Sequence, residues 1–280
     1  MLNSAVRNLK ARIGMVRLQA SGDQHTRRLA QVIQTATRGQ RNPEEAIWTE
    51  RIEALRARLN ASTEKLTIED YGAGNPEKQF TAEQMYQGQV ITKTVGELCQ
   101  GASKASLWSH LLFQLIRQHR PATCIELGTC LGISAAYQAA ALKLNGSGRL
   151  ITLEGAPAVA SLAKQNLQSL GLDNVRVVVG RFQDTLGKVL EECGSIDYAF
   201  IDGHHDEQAT LDYLEQILPY LSETAILVFD DISWSKGMNK AWRAIELDRR
   251  VALSCNLHRI GICVMDKAAT RKKSHKLFVA

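Results

Sequence analysis

A chain of 280 residues has room for one α/β domain plus an extension, and can bury a sizeable core. Its composition, 45% hydrophobic and 22% charged, is that of a globular protein, and the longest suspicious uncharged run, residues 127–142, is 16 residues, too short and glycine-rich to span a bilayer. The net charge of +5 is unevenly spread: residues 1–41 carry eight Lys or Arg against Asp23 alone, residues 266–280 carry +4, and the middle is acidic.

The N-terminus has no uninterrupted apolar core of signal-peptide type, and the six cysteines form no C-x-x-C pair. Buried free thiols in a reducing compartment, and hence a cytoplasmic protein, are expected.

In chain order, Leu2, Val6, Leu9, Ile13, Val16 and Ala20 recur at alternating steps of four and three, which predicts a basic amphipathic helix. Packing on its own domain or on a second subunit is favoured over contact with a membrane surface, nucleic acid or an import receptor, because six modest apolar residues make a weak anchor. Asn42-Pro43-Glu44-Glu45 supplies a cap, a first-turn proline and two acids, predicting a helix to about Asn60 with Ile47, Ile52, Leu55 and Leu59 inward. The loop composition of Tyr71 to Pro76 separates this extension from the main domain, and Leu107, Leu111, Leu112, Leu115 and Ile116 mark one more helix. The division expected is 1–85 for the helical extension, 86–266 for the main domain and 267–280 for a basic tail.

From Thr123 the chain alternates strand-like runs (123–127, 149–154, 175–179, 196–202, 225–230, then 252–255 and 261–265) with helical patterns near 133–142, 158–170, 182–192, 207–220 and 237–248. This predicts an α/β fold, a Rossmann-like doubly wound sheet, mostly parallel with an antiparallel closing strand. Ligands of such sheets bind beyond the carboxyl ends of the strands. Gly128-x-x-x-Gly132 between the first strand and its helix lets a ligand approach bare backbone, yet it is not the Gly-x-Gly-x-x-Gly spacing of pyrophosphate folds. The strand ends carry Glu126-Leu127-Gly128, Leu153-Glu154-Gly155, Gly180 to Asp184, Ile201-Asp202 and Phe229-Asp230-Asp231. An acid such as Glu154 can accept hydrogen bonds from both hydroxyls of a ribose. Taken singly, each acid or glycine is also what a strand-to-helix loop uses as cap or turn former.

These residues, E-L-G-T-C-L-G-I-S at 126–134, L-E-G at 153–155, G-R-F-Q-D at 180–184, F-I-D-G-H-H at 200–205 and F-D-D at 229–231, resemble class I S-adenosylmethionine-dependent methyltransferases, in the small-molecule O-methyltransferase branch of catechol and macrolide-sugar types. The resemblance spans about residues 100–265. It implies methyl transfer from S-adenosylmethionine to a hydroxyl of a small-molecule acceptor, assisted by Mg²⁺ or a similar divalent cation. It assigns Gly128, Gly132 and Ser134 to the methionine part of the cofactor, Glu126 to the shape of that pocket, Glu154 to the ribose, and Phe182 and Gln183 to the adenine.

Asp202, Asp230 and Asp231 are the expected metal ligands, since clustered carboxylates need a proton or a cation. His205, three past Asp202, is the expected proton acceptor, with Asp202 beside it as the second catalytic group. The catechol type has a lysine at that third position and the macrolide-sugar type a histidine, and Asp231 stands where the catechol type usually has asparagine. Trp234 and Lys236 are candidates to cover the acceptor, and the loop at Tyr71 to Gly74 to act as a lid. RNA methylation through the basic arm, and cofactor binding without catalysis in an assembly role, are the rival readings; no RNA recognition module or aromatic platform is evident. The N-terminal helices are candidates for a homodimer interface.

Overall fold

The computed structural model describes residues 14, 16, 18–20, 23–72, 74 and 80–277. Its centre is an eight-stranded sheet of order β10-β8-β9-β7-β6-β3-β4-β5. The strands are β3 (Thr123–Leu127), β4 (Arg149–Glu154), β5 (Val175–Val179), β6 (Ile196–Ile201), β7 (Leu221–Phe229), β8 (Val251–Asn256), β9 (Gly261–Asp266) and β10 (Lys273–Lys276). The run from β5 to β7 is parallel, and β9 lies antiparallel between β7 and β8. The expected closing strand therefore inserts inside the sheet rather than at its edge. The basic segment after Asp266 adds β10, parallel to β8.

Alternation along each strand sends residues to two cores. Ile125, Leu127, Ile151, Ala199 and Phe229 meet helices α8 (Phe182–Cys193), α9 (Glu207–Ile217) and α10 (Lys236–Leu247). Cys124, Leu150, Tyr198, Phe200 and Val228 face the other way, toward α1 (Gln24–Thr37), α2 (Pro43–Asn60), α5 (Ser106–His119), α6 (Ile133–Asn145) and α7 (Pro157–Ser169). The N-terminal helices thus share a core with the sheet. Arg51 donates to the Leu170 carbonyl at 2.7 Å, and Tyr137 donates to Glu53 at 2.7 Å.

Several expectations on this half of the chain need correction. In the first predicted stripe, Leu2, Val6, Leu9 and Ile13 lie outside the described residues, while Val16 and Ala20 are exposed and Leu18 is buried. Leu18 is two residues from each, about 200° round a helix and so on the opposite face. Ile47 is likewise exposed. Its place on the inner face of α2 is taken by Glu45, which is seven residues before Ile52 and therefore aligned with it, whereas Ile47 is about 140° away.

Glu45 completes a capping box with Asn42, and its carboxylate also accepts from Gln114 (3.2 Å) and from Arg117 (3.2 Å) on α5. Glu45→Ala should cost about 2 kcal/mol in urea denaturation, less than the ~3–5 kcal/mol of breaking a fully buried pair, because Arg117 keeps some solvent and its contact with Asn145. A loss near zero would mean that the cap and the interhelical pair are dispensable.

Helix α1, the short helices α3 (Ala82–Gln87) and α4 (Val95–Ala102), and the hairpin of β1 (Lys65–Asp70) with β2 (Gln89–Thr94) were not expected from the sequence. The hairpin alternates weakly because only Ile68 among its twelve positions is buried. Among the described residues no helix is long and apolar enough to cross a membrane.

Candidate active site

Parallel register builds the site. Leu127 pairs with Leu153 and Ile201, and Ile201 with Phe229, so the residues that follow, Gly128, Glu154, Asp202 and Asp230, emerge side by side at the carboxyl edge. Backbone bonds lock the row: Asp202 N–H donates to Leu127 and Asp230 N–H to Ile201, both at 2.9 Å. The backbone there is packed so closely that a Cβ on Gly128, whose φ is +101°, would strike the carbonyl oxygen of Asp202.

A cavity of about 390 Å³ opens beyond this edge. Of the expected site residues it is lined by Gly128, Glu154, Phe182, Asp202, His205 and Asp231, and it is roofed from the N-terminal side by Ile68 to Gly72 and Lys104. This volume falls in the range of small-molecule and cofactor pockets.

Glu126, Gly132, Ser134, Gln183 and Asp230 do not line it, and Asp230 borders a neighbouring hollow instead. Glu126 is fully buried beneath the turn, accepting from Gln138 and Thr152 at 2.6 Å each, and Ser134 turns its hydroxyl to the same carboxylate. Burial pushes Glu126 up to about 7, against the pull of those three hydrogen bonds. Gly132, at φ +85°, starts α6 and packs on Ala163 and Leu167, and Gln183 is exposed.

Glu154 accepts from the backbone N–H groups of Cys130 (2.8 Å) and Ala156 (2.9 Å), one to each oxygen, which fixes the carboxylate facing the cavity. Burial raises its pKa, and the two N–H donors oppose that rise. Phe182 lies edge-on to the His204 ring, whose Nδ1 meets the Tyr213 hydroxyl. His204 is therefore a buried support beneath Phe182; burial lowers it to about 4 and keeps it neutral.

Asp202, His205 and Asp230 bring one ligand atom each to within 4.8 Å of one another, two carboxylate oxygens and an imidazole nitrogen. That donor set fits a divalent transition ion, and less closely the all-oxygen preference of Mg²⁺. Asp231 is not part of the group: it lines the cavity, holds a φ of +48°, and its carboxylate lies 3.6 Å from the Arg259 guanidinium.

Burial and the mutual repulsion of the carboxylates raise the pKa of Asp230, and burial raises Asp202. His205 Nε2 stands 3.7 Å from Asp202 Oδ1, and burial lowers its pKa. Cys130, His204, His205 and Asp231 all hold positive φ, which concentrates backbone strain around the cavity.

The residue that sequence reasoning missed is Lys104. Its ammonium sits 3.1 Å from Asp202 Oδ1 and bonds Asp230 Oδ2 directly. Burial alone would lower its pKa, but Asp202, Asp230 and Asp231 outweigh that and raise it, so it is charged. No local signal marks it, because it lies about a hundred residues upstream and meets the carboxylates only through packing.

A mostly parallel sheet with cavity and acids at its carboxyl edge defines an α/β domain of the cofactor-binding kind. Residues 125–232, which hold strands β3 to β7, match the family model described as a methyltransferase domain. The chain is similar to a catechol O-methyltransferase of Niastella koreensis, 36% identical over 110 residues, which are 39% of this chain and 48% of that protein. It is also similar to one of Mycobacterium tuberculosis, 34% identical over 115 residues, 41% and 50% of the two chains. It spans about half the length of these curated relatives.

In fold it is like the O-methyltransferase from Bacillus cereus in complex with SAH, with a TM-score of 0.51 at 23% identity over 59% of this chain and 83% of that one. A SAH-bound methyltransferase of Podospora anserina gives a TM-score of 0.51 at 18% identity over 59% and 80%.

Proposed function

We propose that this protein transfers the methyl group of S-adenosylmethionine to a hydroxyl of a small-molecule acceptor. The observation that carries the reading is one cavity shared by two sets of groups: Gly128, Glu154 and Phe182 on one side, Asp202 and His205 on the other. The donor would lie along the bare backbone at Gly128 with its ribose on Glu154, whose oxygens each keep a lone pair beyond the backbone bonds. Phe182 would offer an apolar face to the adenine, and Gln183, exposed beside it, would reach the same end only from outside the cavity. Glu126, Gly132 and Ser134 would act from below by holding the strand-to-helix turn.

S-adenosylmethionine, when bound, supplies a methyl on a cationic sulfur, so the protein has to align the acceptor and take its proton. His205 suits the proton, since its depressed pKa leaves it neutral near pH 7 and Asp202 stands ready to stabilise the imidazolium. Asp202, His205 and Asp230 would hold a divalent ion if one takes part; His205 would then serve as ligand instead of base, and the ion would lower the pKa of a hydroxyl bound to it so that the proton can pass to solvent.

Calorimetry with S-adenosylhomocysteine should give binding to the wild type that Glu154→Ala weakens about 10- to 100-fold by removing two ribose hydrogen bonds. Equal affinity in both proteins would sink the assignment of Glu154. A labelled-donor assay over catechols and other hydroxyl acceptors tests turnover. Methylation confined to RNA, or binding with no turnover on any acceptor, would replace this reading.

A further inference from the structure

The Asp202–Asp230 pair already has a cation. Lys104 lies on the three-residue connector between α4 and α5, far from the sheet in sequence, and its ammonium is held against one oxygen of each carboxylate. Those carboxylates, with His205, are the groups that could grip a divalent ion. A metal bound by both and an ammonium bound to both would be like charges at contact distance, which is strongly unfavourable in a buried site. One must leave for the other to enter.

The fold provides somewhere for Lys104 to go. On its far side lies a second hollow, about 450 Å³, bordered by Arg56, Asn60, Trp108, Asp230 and Arg259 as well as by Lys104 itself. The Lys104 side chain is 13% exposed, so it is nearly sealed where it sits, yet it borders both this hollow and the main cavity. The connector is fastened by the Ser109 hydroxyl, which donates to the Lys104 carbonyl at 3.2 Å, so the backbone can stay while the side chain swings.

We propose that Lys104 is the resident counter-cation of Asp202 and Asp230, and that a divalent ion enters the site only by displacing it. The proposal rests on the reading of these carboxylates as the catalytic edge, but not on any methyl transfer. It makes Lys104 a positioning residue: seated, it neutralises the pair and fills the ion's place; displaced, it opens that place and shifts toward the second hollow.

The test is Mn²⁺ binding followed by electron paramagnetic resonance, on the full chain without donor or acceptor. Lys104→Met should bind Mn²⁺ about tenfold or more tightly than the wild type, because the metal-competent state no longer competes with a seated ammonium. The gain should vanish in Lys104→Met combined with Asp230→Asn. A merely structural lysine would not tighten metal binding when removed. Equal or weaker affinity in folded Lys104→Met, or binding in neither protein, overturns the proposal.

Leaving two buried carboxylates without a partner could prevent that variant from folding. The second measurement therefore uses the wild type: acetylation of Lys104, read by peptide mass spectrometry, should accelerate when Mn²⁺ saturates the protein. Unchanged reactivity with bound Mn²⁺ also overturns it. Failure of S-adenosylhomocysteine to bind would count against the methyltransferase reading and leave these results intact.

Discussion

Asp202→Asn should lower kcat about a thousandfold while leaving S-adenosylhomocysteine affinity within about threefold of wild type. The amide keeps the volume and the backbone bond to Leu127, so the strand edge survives. What it loses is the charge beside His205 Nε2 and beside the Lys104 ammonium. In the proposed reaction that charge stabilises the imidazolium as the acceptor proton arrives, a requirement absent from donor binding. Single-turnover assays with saturating donor separate the two effects. Near-normal turnover would move the chemistry away from this edge, whereas parallel loss of cofactor binding would mean that Asp202 supports the whole cavity.

Gly128→Ala should destabilise the fold by at least about 3 kcal/mol, combining a left-handed backbone with a collision against a neighbouring strand. A Cβ there points into the Asp202 carbonyl, and that carbonyl belongs to backbone that cannot rotate out of the way. Gly146 is the matched control, with φ +74° at the end of α6 and nothing within 4 Å of its Cβ. Gly146→Ala should cost only about 1 kcal/mol, the penalty of the backbone conformation alone. Urea midpoints for the two variants isolate the close approach, and equal losses would show that the ends of β3 and β6 part without cost.

The central strands were legible because β3, β4 and β6 are short, largely apolar runs buried on both faces. TCIEL at 123–127 and RLITLE at 149–154 match the observed strands residue for residue. Ends were less certain where the pattern is diluted: β7 begins four residues before Ala225, through the polar Ser222, Glu223 and Thr224. Helix α1 was readable in principle from Asp23 as cap and from buried Leu29, Ile33 and Ala36, but a basic stretch masked it. Within the candidate site, the residues at strand ends could be named from sequence because register brings them together. Asp231 and Ser134 differ, since each meets a partner that its strand end does not announce, the Arg259 guanidinium for the one and the buried Glu126 carboxylate for the other. Lys104 lay beyond sequence reasoning altogether, as its partners are set by how α4 and α5 dock on the sheet.

The antiparallel insertion of β9 has a consequence for how the protein is made. Strand β7 needs β9 on its outer side, and β9 is emitted by the ribosome more than thirty residues after β7 ends. Until Asp266 has cleared the exit tunnel, the β7 edge carries open backbone groups flanked by Ile226, Leu227 and Val228, a surface suited to pairing with another chain. That edge is therefore covered only when β8 and β9 arrive together as a hairpin. The lysines and histidine of β10 then close the outer edge of β8 with charge and polarity, which discourages further strands from joining.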